Sequence, residues 1–220
     1  MFKKLRIILA IALVLFLVLG IAACGDKDDE KGDDTPAGDN GENPAGDDEG
    51  EGEGEPEEAK PEPVLIKVNC GGEEADGLSA DQEYSEGGGW GYVGETNATA
   101  VEDEIINDFG FPEALKCTRY LNEPFAYWFD VPNGDYTVKM YFAENWSGKE
   151  GDRLAEYTLN GNLVLTGFNA WEAAGGRNTG VEKVFDVTVT DGRIVLDIVY
   201  SEETSDKNAI ISVLIVESKW

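Results

Sequence analysis

Residues 64–220 are predicted to form an all-β domain, an antiparallel β-sandwich or jelly roll. Three observations predict it. First, residues 136–142 alternate strictly. Val138, Met140 and Phe142 point one way, and Thr137, Lys139 and Tyr141 the other, which is the period of a half-buried strand. Second, turn dipeptides punctuate the chain: Asn133-Gly134, Asn160-Gly161 and Asp191-Gly192 each separate apolar alternations. Third, from Phe125 onward the chain is nearly continuous β pattern, without helical period.

The first strand is expected at residues 64–69, entered after a proline-rich approach and ended by Cys70-Gly71-Gly72. Residues 73–122 are the least regular stretch. They hold Gly87-Gly88-Gly89-Trp90-Gly91-Tyr92-Val93-Gly94, a glycine-rich loop carrying two aromatics. Neither a Lys-Ser/Thr pair nor a helical pattern follows it, so it is not a phosphate cradle. A short helical turn is expected over residues 101–109. Strands follow at 125–131 and 135–144. Pro132 fixes φ before the second, and Asn133-Gly134 tolerates a tight turn. Strands at 153–159 and 162–166 make a hairpin about Asn160-Gly161, and residues 167–181 form a second irregular loop with Trp171. Strands at 182–190 and 193–200 make another hairpin about Asp191-Gly192. A polar loop at 201–208 leads to a last strand at 209–217.

Composition excludes several chemistries. The net charge of the chain is −28, so it repels nucleic-acid phosphates and anionic lipid. It contains no histidine, which removes Ser-His and Cys-His nucleophiles and His-ligated zinc. Three cysteines are too few for a Cys₄ zinc site. No cofactor and no metal site is expected.

Two segments precede the domain. Residues 1–23 have a basic start at Lys3, Lys4 and Arg6 and an apolar run from Ile7 to Leu19, a targeting signal. Ile21-Ala22-Ala23-Cys24 resembles the lipobox of bacterial lipoproteins. That resemblance implies cleavage before Cys24, lipid attachment to Cys24, and anchoring on the extracytoplasmic face of a bacterial membrane in the cell envelope. Residues 24–63 then read as a disordered acidic tether. From residue 25 on they carry 17 acidic residues, three lysines and no aromatic or branched aliphatic side chain, so nothing there can build a core. A flexible chain of this length spans about 35 Å end to end, and self-repulsion extends it. A net −17 remains on residues 64–220.

The loop aromatics Trp90, Tyr92, Trp146 and Trp171 are candidates for stacking on the apolar faces of sugars, while mid-strand Trp128 is expected in the core. Glu144 is expected as a structural carboxylate accepting hydrogen bonds from backbone or from Arg119, and Arg119 and Tyr120 as structural. Cys70 and Cys117 are either buried thiols or, outside the cytoplasm, a disulfide.

Four ordered motifs carry a family resemblance: Val68-Asn69-Cys70-Gly71-Gly72, Thr118-Arg119-Tyr120, the run from Val131 through Glu144, and Lys183-Val184-Phe185-Asp186-Val187. In order and spacing they resemble malectin domains across the whole globular part. The resemblance implies a galactose-binding-like sandwich that binds glucose-containing oligosaccharide without catalysis. It implies that Trp146 matches the first of two sugar-contacting aromatics after Phe-Ala-Glu, with Ser147 where the second would stand. Tyr92 or Trp90 fills the place of a sugar-binding tyrosine in the early glycine-containing loop. Leu115 stands where another tyrosine would be. Asp206-Lys207-Asn208-Ala209 displaces a site aspartate by one position, leaving Asp206 and Asn208 as candidate ligand contacts. The expected partner is an oligosaccharide or polysaccharide, with a separate glycan-processing enzyme or transporter as a further partner. The alternatives are a protein-interaction module that has lost sugar binding and a glycoside hydrolase.

Overall fold

The computed structural model describes residues 61–146, 149 and 151–220. The signal segment, Cys24, the acidic tether up to residue 60 and Ser147 lie outside the described residues. Two five-stranded sheets face each other. One runs in the order β10 (Gly180–Val189), β7 (Gly134–Ala143), β13 (Val213–Ser218), β1 (Leu65–Asn69), β2 (Ser79–Ala80). The other runs β3 (Trp90–Val93), β6 (Phe125–Asp130), β11 (Arg193–Tyr200), β8 (Ala155–Leu159), β9 (Asn162–Phe168). A third sheet of three strands, β12 (Ala209–Ile211), β5 (Cys117–Leu121) and β4 (Asn97–Ala100), completes the all-β architecture. Between the named strands, pairing is antiparallel except for β1 with β2.

The alternation of β7 does what period 2 requires. Val138, Met140 and Phe142 enter the core between the sheets, where the Phe142 ring meets Tyr157 at 5.2 Å and Phe168 at 4.8 Å. The buried Tyr157 hydroxyl donates to the Ile210 carbonyl at 2.6 Å, so its polar atom is satisfied. Tyr141 and Ala143 face the other way. They join a second apolar cluster with Leu78, Leu115, Val213 and Ile215, covered by the long segment before β5.

The structure bears out some of the expected turns and strands and corrects others. The Asn160-Gly161 hairpin joins β8 to β9, with φ of 44° and 78° at its two residues. Asp191-Gly192 is not a hairpin turn: β10 pairs with β7 and β11 with β6 and β8, so the turn crosses between sheets. The strand expected at 209–217 breaks at Ser212. There the chain leaves the small sheet for the large one, with the Ser212 amide bonded to the Tyr141 carbonyl and its carbonyl accepting from the Cys70 amide. Residues 101–109 form no helix; a 3₁₀ turn falls later, at Ala114–Lys116. Residues 73–122, expected to be irregular, hold β2 to β5. The loop at 167–181 contains α1 (Ala170–Ala174), capped by Asn169, whose side chain accepts from the Glu172 amide, and ended by left-handed Gly175. Cys70 and Cys117 are free thiols.

Trp90 and Tyr92 are strand residues, not loop residues. In β3 they sit opposite Phe129 and Tyr127, whose rings are buried, so all four side chains share the inner face. Trp128, expected in the core, lies on the outer face instead, because it pairs with Gly91 and alternates with its buried neighbours. Its ring lies 5.2 Å from Tyr84 and under the Arg193 guanidinium at 4.6 Å. Arg193 also donates to Asp130 at 2.6 Å, and Tyr84 donates to the same carboxylate at 2.7 Å.

Two outcomes follow from this packing. A Cβ at Gly134, whose φ is 148°, would lie 2.4 Å from the Trp220 ring. Gly134→Ala is therefore expected to destabilise by about 1–3 kcal/mol, with the loss reduced in a Trp220→Ala background, in a double-mutant cycle of urea melts. Asp130 is held below the usual carboxylate range by the Arg193 hydrogen bond, with Tyr84 adding to it. Its folded pKa is depressed, so its stabilisation is present above the ordinary carboxylate pKa and lost as pH falls through the folded value. The stability gap between the wild type and Asp130→Asn is expected to shrink between about pH 5 and pH 2 in thermal melts.

Candidate functional site

Where β7 runs out, its last residues and three other segments enclose a cavity of about 270 Å³. Ala143, Asn145 and Trp146 come from the end of β7. Thr118 and Tyr120 come from one face of β5, Thr99 from β4 and Ile210 from β12. Arg153, Asp206 and Asn208 complete the wall. The small sheet contributes because β5 alternates: Arg119 turns to the opposite side, which leaves Thr118 and Tyr120 facing the cavity.

A chain of charge-assisted hydrogen bonds holds the wall together. Glu144 is 1% exposed. The Arg153 guanidinium donates to both Glu144 oxygens from Nη1, at 3.0 and 2.9 Å. From Nη2 and Nε it donates to Asp206 Oδ2, at 2.5 and 3.2 Å. Asp206 Oδ1 in turn accepts from the backbone amide and side-chain Nδ2 of Asn208, at 3.0 and 2.7 Å. Each oxygen of Asp206 thus accepts two hydrogen bonds from the protein, so this carboxylate positions Arg153 and Asn208. Among the described residues the Asn208 amide oxygen has no hydrogen-bond donor. Lys207, at the displaced position, points away from the wall to Glu202 at 2.5 Å and lies over the Tyr200 ring. The displacement in sequence therefore still leaves Asp206 in the cavity.

The aromatic plate is fixed by the same carboxylate. Glu144 Oε1 accepts the Trp146 amide at 2.8 Å, while the neighbouring carbonyls of Asn145 and Glu144 accept from Arg177 Nε and the Asn178 amide, each at 2.9 Å. These bonds hold the backbone leading into Trp146, yet the residue remains 66% exposed. Asn145, buried beside it, donates to the Leu115 and Lys116 carbonyls, while its Oδ1 has no hydrogen-bond partner among the described residues. An exposed indole beside amides and hydroxyls offers an apolar plate and polar rim groups together.

Of the residues expected from sequence, the cavity unites Trp146, Asp206 and Asn208. Trp90 and Tyr92 do not line it. Their rings pack against the core, and Tyr92 carries the Arg119 guanidinium 3.6 Å over its face. Arg119 pairs with buried Asp81 at 2.5 Å, not with Glu144, whose partner is Arg153. Asn145, Arg153, Thr99 and Thr118 were not foreseen, and Tyr120, expected to be structural, lines the cavity. Tyr120 was within reach of the sequence: if Arg119 is buried on one side of a strand, Tyr120 faces the other. Arg153 was not, since its partners come from positions 144 and 206. Among the described residues no group of three or more His, Cys, Asp or Glu is arranged to hold a metal ion.

The β-sandwich and this cavity define a carbohydrate-binding or interaction module. A family model for the malectin domain matches residues 64–218, and the chain belongs to the malectin domain family. Mouse and human malectin are each 26% identical over 141 residues, covering 61% of this chain and 46% of theirs. The chain thus spans about half the length of those relatives. Among solved structures, a Bacteroides uniformis beta-glucuronidase matches with a TM-score of 0.61 at 18% identity, over 71% of this chain and 18% of that one. The ANXUR2 extracellular domain from Arabidopsis thaliana matches with a TM-score of 0.59 at 15% identity, over 70% and 49%. These structural likenesses establish the fold.

Removing Arg153 takes away the guanidinium that bonds both oxygens of the buried Glu144 and ties it to Asp206. Arg153→Ala is expected to lower stability by about 3–5 kcal/mol in urea denaturation, more than either Lys207→Ala or Lys149→Ala, whose partners lie near the surface.

Proposed function

We propose that the domain is a non-catalytic carbohydrate-binding module that takes a glucose-containing oligosaccharide in this cavity. The observation that carries the reading is Trp146: a largely exposed aromatic residue, its amide held by Glu144, at a cavity whose lining combines amides, hydroxyls, a second aromatic and the Arg153–Asp206 pair. A pyranose ring presents an apolar C–H face to such a plate, and its equatorial hydroxyls reach the polar rim. Asn208 and Tyr120 are placed to exchange hydrogen bonds with those hydroxyls. Membership of the malectin domain family supports the same substrate class.

The electrostatics of the wall favour binding without bond cleavage. Glycoside hydrolysis needs one carboxyl that can deliver a proton and a second free to act as nucleophile or base. Here Glu144 is buried behind Arg153, and Asp206 already accepts four hydrogen bonds from the protein. We further propose that the domain is displayed on the extracytoplasmic face of a bacterial envelope, lipid-anchored at Cys24 and held off the membrane by the acidic tether. There it captures glycan for a separate glycan-processing enzyme or transporter.

A small, open site of this kind is expected to bind with dissociation constants between about 1 µM and 1 mM. The test is a glycan array and titration calorimetry on the full chain beside Trp146→Ala. Binding to gluco-oligosaccharides that weakens at least about tenfold in Trp146→Ala, with unchanged thermal stability, is expected. A blank array from a folded protein would favour the protein-interaction reading instead.

A further inference from the structure

We propose that the free edge of β10 accepts an extended, basic segment of a partner protein, which adds a strand to the sheet it borders. The inference goes beyond the carbohydrate-binding reading. It uses no residue lining the cavity, and it stands or falls apart from that reading.

The phase of the backbone shows what this edge offers. The Gly180 amide donates to the Ile106 carbonyl at 2.8 Å, and the Gly180 carbonyl accepts from Asn107 Nδ2 at 3.1 Å. The backbone groups of Gly180 therefore point away from β7. Independently, the Tyr141 carbonyl accepts from the Ser212 amide, so Tyr141 turns its groups toward β13 and away from its partner Glu182. Both observations set the amides and carbonyls of Glu182, Val184, Asp186 and Thr188 along the free edge. The chain itself takes the first position there, where Ile106 bridges to Thr179. Beyond it, no described strand pairs with that edge. The other edges are guarded. β2, β12 and β4 are short, the segment from Gln82 to Tyr84 bonds to β3, and register shifts interrupt β9. β10 pairs without a shift over ten residues, and a long regular edge is a template for another strand.

The side chains state what the added strand must carry. On the inner row, Val181, Phe185 and Val187 pack against the core yet stay half-buried, so apolar side chains opposite them complete the cover. Lys183, in the same row, lies 5.5 Å from the centre of the Phe168 ring and disfavours a base opposite it. On the outer row Val184 is 49% exposed and lies between Glu182 and Asp186, which favour basic neighbours. The fitting occupant alternates, apolar toward the core and basic toward solvent. Main-chain bonds then supply affinity and the alternate side chains specificity. The chain's own segments do not fit. The tether is acidic and lacks branched aliphatic or aromatic residues. A second copy brings the same net −17 on residues 64–220.

The test uses the full chain and a peptide of about ten residues alternating valine and lysine, matched to the length of β10. Fluorescence anisotropy at about 0.05 M salt is expected to show binding at least about tenfold tighter than for the valine–glutamate counterpart, with the gap narrowing at about 0.5 M. Amide exchange at Glu182, Val184, Asp186 and Thr188 is expected to slow on binding. N-methylating one alternate set of peptide amides, the lysines for antiparallel or the valines for parallel addition, is expected to weaken binding at least about tenfold. Methylating the other set is expected to leave it unchanged. This arm needs no change in the protein. Val184→Pro removes an edge amide that makes no bond to β7, so it is expected to weaken binding while the thermal melt is kept. No binding of the valine–lysine peptide, or binding indifferent to both methylated sets, would overturn the inference. So would slowed exchange of the same four amides that rises with protein concentration without peptide, which would make a second copy the occupant.

Discussion

The guanidinium of Arg153 is the interaction on which the rest of the site depends. It joins two segments far apart in sequence, the end of β7 through Glu144 and the 201–208 loop through Asp206. Each carboxylate passes the constraint on. Glu144 fixes the Trp146 backbone, and Asp206 fixes Asn208. Burial makes the arrangement strict: a charged group taken from water must find its partners inside, so Arg153, Glu144 and Asp206 are placed together or not at all.

The sandwich brings these segments to one place through two features of its topology. β7 is an interior strand of its sheet, paired on both edges with β10 and β13, and both its faces are covered, one in the main core and the other against Leu78, Leu115 and Ile215. Its C-terminal end is thereby rigid, and what it delivers there is held. The second feature is the break at Ser212, which lets one extended run serve two sheets. β12 stays with β5 and β4, and β13 inserts between β7 and β1. The small sheet so created sets Thr118 and Tyr120 beside the end of β7, while Arg119 on the opposite face of β5 pairs with Asp81 and builds no part of the cavity.

Local pattern made much of the fold legible. The alternation in β7, the Asn160-Gly161 hairpin and most strand limits after Phe125 follow from period 2 and turn chemistry. What was illegible was partnership. Asp191-Gly192 has the chemistry of a hairpin turn, but turn chemistry does not say whether the next strand stays in the same sheet. The Asn169-x-x-Glu172 cap and Gly175 were visible helix punctuation inside a stretch read as a loop. For the site, Trp146 stood out because it follows a rigid strand at once. Trp90 and Tyr92 misled because three preceding glycines suggested a loop, when the next four residues pair with β6 and turn both rings inward. Arg153 carried no local mark, since its role exists only once residues 144 and 206 have met.

The most direct measurement follows the side-chain NMR signals of the five tryptophans during titration with a gluco-oligosaccharide. Saturable shifts of the Trp146 indole and the Asn208 side-chain amide, with the Trp90, Trp128, Trp171 and Trp220 indoles unmoved, are expected if the cavity at the end of β7 is the binding site. Shifts confined to Trp128, on the outer face of the other sheet, with Trp146 silent, would contradict it.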